Sequence, residues 1–154
     1  MIHLVSGGAR SGKSRFAESL VQELSLEGGD CVYIATAQAL DEEMSVRITQ
    51  YKMTRQKSPL RWLNIECPIA LSQCLVDQMS HNKIILVDCL TLWLTNQLLR
   101  DEAHWLQQKA DFLATLSLVS GQLILVSNEV GSGIVPLGEL NRRFIDEAGW
   151  LHQD

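Results

Sequence analysis

The sequence predicts an α/β fold in which a mainly parallel sheet lies between two layers of helices. Three observations carry that expectation. Cys31-Val32-Tyr33-Ile34-Ala35, Lys83-Ile84-Ile85-Leu86-Val87 and Gln122-Leu123-Ile124-Leu125-Val126 are short apolar runs, as strands buried on both faces require. Segments of helical spacing separate them, which is the pattern of parallel strands joined by crossover helices. The first run, Ile2-His3-Leu4-Val5, passes through a glycine-rich loop straight into helix-spaced Arg15-Phe16-Ala17-Glu18-Ser19-Leu20-Val21.

That loop, Gly7-Gly8-Ala9-Arg10-Ser11-Gly12-Lys13-Ser14, fits G-x-x-x-x-G-K-[ST], the P-loop pattern, in the strand–loop–helix context the pattern needs. Its chemistry is anion capture. Glycines let successive backbone N–H groups turn toward one point, and the helix N-terminus adds partial positive charge. Lys13 can reach the β- and γ-phosphates of a nucleoside triphosphate, and Ser14 can ligate a bridging Mg²⁺. A chance glycine turn is the competing reading, and the flanking strand and helix argue against it.

The chain has 154 residues, the length of one domain, and spans a single P-loop nucleotide-binding domain, 1–154. With 13 Lys and Arg against 18 Asp and Glu, its net charge is −5, which disfavours nonspecific nucleic-acid binding. No apolar run reaches membrane length and no leader precedes Ile2, so the expected location is cytoplasmic. Cys31, Cys67, Cys74 and Cys89 form no C-x-x-C pair and read as reduced, buried thiols. His3, His81, His104 and His152 show no metal-site spacing.

The first helix should end near Leu26 or Glu27, before Gly28-Gly29. After the strand ending at Ala35, Thr36 and Ala37 open a loop at a strand's carboxyl end, where ligands gather in open α/β sheets. Asp41 caps a helix with Glu42 and Glu43 in its first turn, continuing to about Lys52 or Thr54. Lys52, Arg55, Lys57 and Arg61 make the segment around Pro59 basic, either a solvated connection or a lid facing phosphates. Arg61 to Glu66 alternates as an edge strand would, and Pro68 opens a helix over Ile69 to Met79.

Asp88 ends the most apolar strand. It reads either as the carboxylate that holds Mg²⁺ beside the P-loop serine or as the cap of the helix that follows. That helix, Leu90 to Arg100, is apolar enough to be buried or to lie in a subunit interface, with Trp93 in the core. Asp101 or Glu102 starts an amphipathic helix reaching about Val119, and Gly121 breaks it. A polar loop follows the strand Gln122 to Ser127, on the same rim as the P-loop. Pro136 opens the last helix, which stops at Asp154 without a cap, so the chain reads as C-terminally short.

Several segments together resemble one family. They are the P-loop with Arg15, Ala17 and Glu18; Tyr33-Ile34-Ala35-Thr36-Ala37; Asp41-Glu42-Glu43-Met44 with Arg47-Ile48; Val87-Asp88-Cys89-Leu90-Thr91 with Trp93, Thr95 and Asn96; and Ser127-Asn128-Glu129-Val130-Gly131-Ser132-Gly133-Ile134-Val135-Pro136. This looks like the bifunctional adenosylcobinamide kinase / adenosylcobinamide-phosphate guanylyltransferase of cobalamin assembly.

The resemblance implies a RecA-like P-loop fold, a homotrimer, and adenosylcobinamide as substrate with GTP or ATP and Mg²⁺. It implies phosphorylation of adenosylcobinamide, then transfer of GMP from GTP to that phosphate through a guanylyl-histidine. Gly7, Gly8, Ala9, Arg10, Ser11, Gly12, Lys13 and Ser14 carry over as the phosphate loop. Ser14 and Asp88 carry over as the metal side. Ala35, Thr36, Ala37, Tyr51, Lys52 and Glu66 carry over as nucleotide contacts.

One departure matters. The family pattern places the nucleophilic histidine at position 50, and Gln50 stands there. An amide nitrogen, its lone pair delocalised, is no nucleophile of that kind. The second departure is the family's further helix and strand beyond Trp150-Leu151-His152-Gln153. A different small-molecule P-loop kinase and a non-catalytic nucleotide-binding remnant are the competing readings. A regulatory GTPase lacks support, because no Asn-Lys-x-Asp motif appears.

Overall fold

The computed structural model describes residues 1–8, 11–25, 30–38, 42–129 and 139–154, the side chains of 139–145 excepted. Strands β1 (Ile2–Gly7), β2 (Asp30–Ala35), β3 (Arg61–Glu66), β4 (Lys83–Asp88) and β5 (Gln122–Asn128) form one sheet in the order β1-β5-β4-β2-β3. Every pairing is parallel. The connections carry helices α1 (Lys13–Leu24), α2 (Glu42–Gln56), α3 (Leu71–Gln78), α4 (Leu90–Arg100), α5 (Glu102–Leu116) and α6 (Glu139–Gln153).

The two-residue period of a strand divides the buried runs between two cores. Val32, Ile34, Ile85, Val87, Leu123 and Leu125 face Leu71, Leu75, Trp93, Phe112 and Leu151 from α3 to α6. Cys31, Tyr33, Ile84, Leu86, Ile124 and Val126 face Ala17 and Val21 of α1. The expected three-layer α/β architecture is therefore present. β5 separates the strand that feeds the phosphate loop from the strand that ends at Asp88, as in a RecA-like sheet.

The order also locates the site. From β2 the chain moves outward to β3, whereas from β4 it moves toward β5 and β1. Neighbours β2 and β4 thus send their connections opposite ways, leaving a crevice at their carboxyl ends. Ala35 and Asp88 are partners in register at that crevice.

α4 is buried within its own chain. Trp93 is fully enclosed and stacks edge-on against Trp105, ring centroids 5.4 Å apart. Its indole N–H donates to the Ile69 carbonyl at 2.9 Å. None of the four cysteines is in a disulfide; Cys31 and Cys67 are buried and the others half-buried.

Helix ends differ from expectation. Pro68 does not open a helix; a turn follows it, and α3 starts at Leu71. α5 stops at Leu116, short of Val119. Gly121 then takes φ 84°, where a Cβ would sit 2.3 Å from the Ser80 carbonyl oxygen, so only glycine fits before β5. The described part of α1 ends at Leu24, and residues 26–29 lie outside the described residues, as do Asp41 and Pro136.

Candidate nucleotide-binding cleft

The phosphate end of the cleft begins where β1 runs out. Gly7 pairs in register with Asn128, and the Glu129 N–H donates to the Gly7 carbonyl at 2.8 Å. The start of the polar loop after β5 therefore sits beside the phosphate loop, as the sequence suggested. A Cβ on Gly7 would fall 2.7 Å from Ser11 Oγ. Gly12 adopts φ 81°, the left-handed turn that aims the first N–H groups of α1 into the loop. Ala9 and Arg10 lie outside the described residues.

Lys13 is folded back, its Nζ donating to the Gly8 carbonyl at 3.1 Å. Ser14 Oγ donates to Asp88 Oδ2 at 3.1 Å, although 74 residues separate them. Tyr33 donates its hydroxyl to the same oxygen at 2.8 Å. Cys89, not Asp88, is the N-cap of α4, and no side chain caps that helix. The capping alternative for Asp88 is thereby set aside. A serine hydroxyl and a carboxylate are hard oxygen donors, and Mg²⁺ usually takes only one or two of these beside phosphates and water. The donor set fits that cation.

Between this end and α2 lies a cavity of about 190 Å³. Ala35, Ala37, Tyr51, Lys52, Glu66 and Asp88 all line it, so these sequence-derived candidates converge. Lys52 Nζ pairs with Glu66 Oε1 at 2.8 Å across its mouth. Met44, Ile48, Ile65 and Leu92 add apolar wall, which suits a flat heterocycle.

Two candidates stand elsewhere. Thr36 is fully buried and clasps the backbone beside Asp88: its Oγ1 donates to the Cys89 carbonyl at 2.7 Å and accepts from the Cys89 N–H at 2.9 Å. Its side chain is engaged there and does not line the cavity. Gln50 is exposed on α2 and does not line the cavity either. Residues 44, 47, 48, 51, 52 and 55 do, and at about 100° per residue position 50 points roughly 130° from their mean direction. Gln50 therefore points away from this cavity in this conformation.

Sequence reasoning also misread Arg55. The basic segment is neither a solvated connection nor a lid there, because Arg55 is only 4% exposed. Its guanidinium lies 3.5 Å from the centroid of the Tyr33 ring. Nε donates to Asn64 Oδ1 at 2.8 Å, and Nη1 approaches Glu18 Oε1 at 3.4 Å. Arg61 pairs with Asp30 at the strand origins, at 3.1 Å.

Charge in this cluster follows burial. The Glu18 carboxyl is pushed above its usual range by loss of water, with Arg55 opposing and Asp88 adding to the shift. Tyr33 is pushed well above the usual phenol range by burial and then by the Asp88 charge, so it stays a donor. Burial likewise raises Cys89, keeping a neutral thiol beside Asp88. A tyrosine inside an otherwise aliphatic buried strand was the available signal for Tyr33, since a buried phenol needs a partner.

Comparison with known proteins identifies a family. The family profile described as cobinamide kinase / cobinamide phosphate guanyltransferase matches residues 3–154. The bifunctional adenosylcobalamin biosynthesis protein CobP of Pseudomonas aeruginosa is 51% identical over 154 residues, covering 99% of this chain and 86% of that protein. The proteins named CobU of Escherichia coli and Salmonella typhimurium are each 36% identical over 167 residues, covering 99% of this chain and 88% of theirs. The chain thus belongs to the cobinamide kinase / cobinamide phosphate guanyltransferase family, a family of transferases.

Proposed function

We propose that the protein phosphorylates the free hydroxyl of adenosylcobinamide, using GTP or ATP with Mg²⁺, as a cytoplasmic homotrimer. The observation that carries this reading is the convergence of Ser14 Oγ on Asp88 Oδ2 beside Lys13 and the glycine loop. Phosphoryl transfer asks the protein for positioning and charge neutralisation. The loop N–H groups and Lys13 hold the β- and γ-phosphates. Ser14 and Asp88 would hold the cation, which would supply positive charge against the charge that develops in the transfer. The adenine or guanine ring occupies the cavity between Ala35, Ala37 and α2, with Glu66 able to accept from a guanine edge.

The acceptor oxygen attacks the γ-phosphorus. The bond from that phosphorus to the β-bridging oxygen breaks, the nucleoside diphosphate leaves, and the acceptor proton passes to solvent. Guanylyl transfer is different. In the family it runs through a histidine at position 50, and Gln50 cannot form that bond. The protein as it stands is read as a kinase that lacks the guanylylated intermediate.

Incubation with adenosylcobinamide, Mg²⁺ and γ-³²P-labelled ATP or GTP tests this. Labelled adenosylcobinamide phosphate is the expected product. Nucleotide binding without any product would leave a nucleotide-binding remnant. Light scattering in solution checks the trimer.

A further inference from the structure

We infer that Tyr33 is a positioning residue for the cation site, fixing the Asp88 carboxylate so that one oxygen is saturated by hydroxyls and the other is left for the metal's coordination sphere. This rests on the reading of the cleft as a nucleoside triphosphate site.

The geometry is specific. Asp88 Oδ2 accepts from both Ser14 and Tyr33, at 3.1 and 2.8 Å. Two donors on one oxygen, arriving from α1 and from the neighbouring strand β2, fix the plane of the carboxylate. Among the described residues Oδ1 takes no hydrogen bond. Ser14 spends its single proton on Oδ2, which leaves its lone pairs available to a cation. Without Tyr33, one bond from Ser14 would remain, and the carboxylate could swing about it.

Tyr33 is itself held. The Arg55 guanidinium covers its ring at 3.5 Å, and Arg55 is fixed in turn by Asn64 on β3 and Glu18 on α1. Arg55 also lines the cavity assigned to the base. The same side chain therefore touches the base pocket on one side and, through Tyr33, the cation site on the other.

The test is titration of Mn²⁺, a paramagnetic stand-in for Mg²⁺, into the protein with saturating GTP, followed by electron paramagnetic resonance. Wild type, Tyr33→Phe and Ser14→Ala are compared. Tyr33→Phe keeps the ring under Arg55 and removes only the hydroxyl. Its Mn²⁺ affinity should fall about tenfold, the usual loss when an outer partner of a metal ligand is removed. GTP affinity without metal should stay within about twofold of wild type. In steady state the Mg²⁺ concentration giving half-maximal rate should rise while kcat at saturating Mg²⁺ recovers, a split that a general packing defect does not produce. Mn²⁺ affinity within twofold of wild type in Tyr33→Phe overturns the inference alone. Failure of the wild type to bind Mn²⁺ with GTP overturns the nucleotide reading and the inference with it.

Discussion

At its phosphate end the cleft is made of the loop between β1 and α1, Ser14 in the first turn of α1 and Asp88 at the end of β4, with β5 wedged between β1 and β4. At its other end it is made of long side chains from one helix, α2, leaning over the edge strand β3. The first end is fixed by the sheet itself: Gly7 is in register with Asn128, and Asp88 with Ala35 and Val126. The second end is fixed by side-chain contacts, chiefly Arg55 to Tyr33, Asn64 and Glu18, and Lys52 to Glu66. Changes at the first end should cost chemistry with little stability, whereas changes at the second should cost stability first.

The largest expected effect is at the phosphate end. Lys13 is half-buried, and among the described residues its Nζ bonds a carbonyl of its own loop. Lys13→Ala should lower nucleotide-dependent turnover by about 10²- to 10³-fold, the range for losing one charge-stabilising donor. Its melting temperature should stay within about 4 °C of wild type, since the bond lost is local to the loop and changes away from packed features rarely move stability by more than about half a kcal/mol. Near-normal turnover in a folded variant would remove Lys13 from the chemistry. Asp88→Asn comes next: its Mg²⁺ requirement should rise about 10- to 100-fold. An unchanged Mg²⁺ titration would reduce Asp88 to a structural acceptor for Ser14 and Tyr33.

The α2 end should respond in the opposite order. Arg55→Met leaves Glu18 and Asn64 without the guanidinium. We expect a loss of about 2–3 kcal/mol in chemical denaturation, at the low end for a broken buried pair because the contact is 3.4 Å and Glu18 is 31% exposed. The pH dependence has a definite sign. The Glu18 carboxyl lies above its ordinary 4.5, so the fold favours its protonated form. Its contribution is fully present below the unfolded value and is lost as pH rises through the folded one. Arg55 limits that loss by attracting the carboxylate, so Arg55→Met should be less destabilising at pH 5 than at pH 8. An equal penalty at both pH values would show that the stack on Tyr33, not the charge pair, holds α2.

The same contrast explains what could be read in advance. The P-loop is contiguous, and its strand–loop–helix setting follows from local backbone chemistry. The apolar run before Asp88 marks a buried strand whose carboxyl end must reach the rim. Arg55 was legible only as one cation in a basic segment, because its partners come from β2, β3 and α1 and no local spacing announces them. Thr36 misled for a related reason. A polar residue after a buried strand looks available to a ligand, but here its hydroxyl donates to the Cys89 carbonyl and accepts from the Cys89 N–H.

The smallest expected effect is at position 50, and it probes whether α2 keeps the phase seen here. Gln50 is exposed, and on the helical wheel it points roughly 130° from the cavity-facing side of α2. Its backbone carbonyl accepts from Thr54 Oγ1 at 3.0 Å, an ordinary contact within the helix. Gln50→Ala should therefore leave GTP affinity and kinase rate within about twofold of wild type, as for other exposed positions that touch nothing. Incubation with α-³²P-GTP should leave wild-type protein without acid-labile label, since glutamine has no nitrogen lone pair to offer. Gln50→His supplies such a nitrogen, with an unperturbed pKa of about 6.5 and hence a neutral form near pH 7. If α2 keeps its phase, that imidazole faces solvent and the label stays at trace level. Stoichiometric labelling of Gln50→His, or a Gln50→Ala variant that loses more than about fivefold in GTP affinity, would show that α2 turns toward the phosphates when nucleotide binds. The α2 end would then be the moving part of the cleft and the phosphate end its fixed frame.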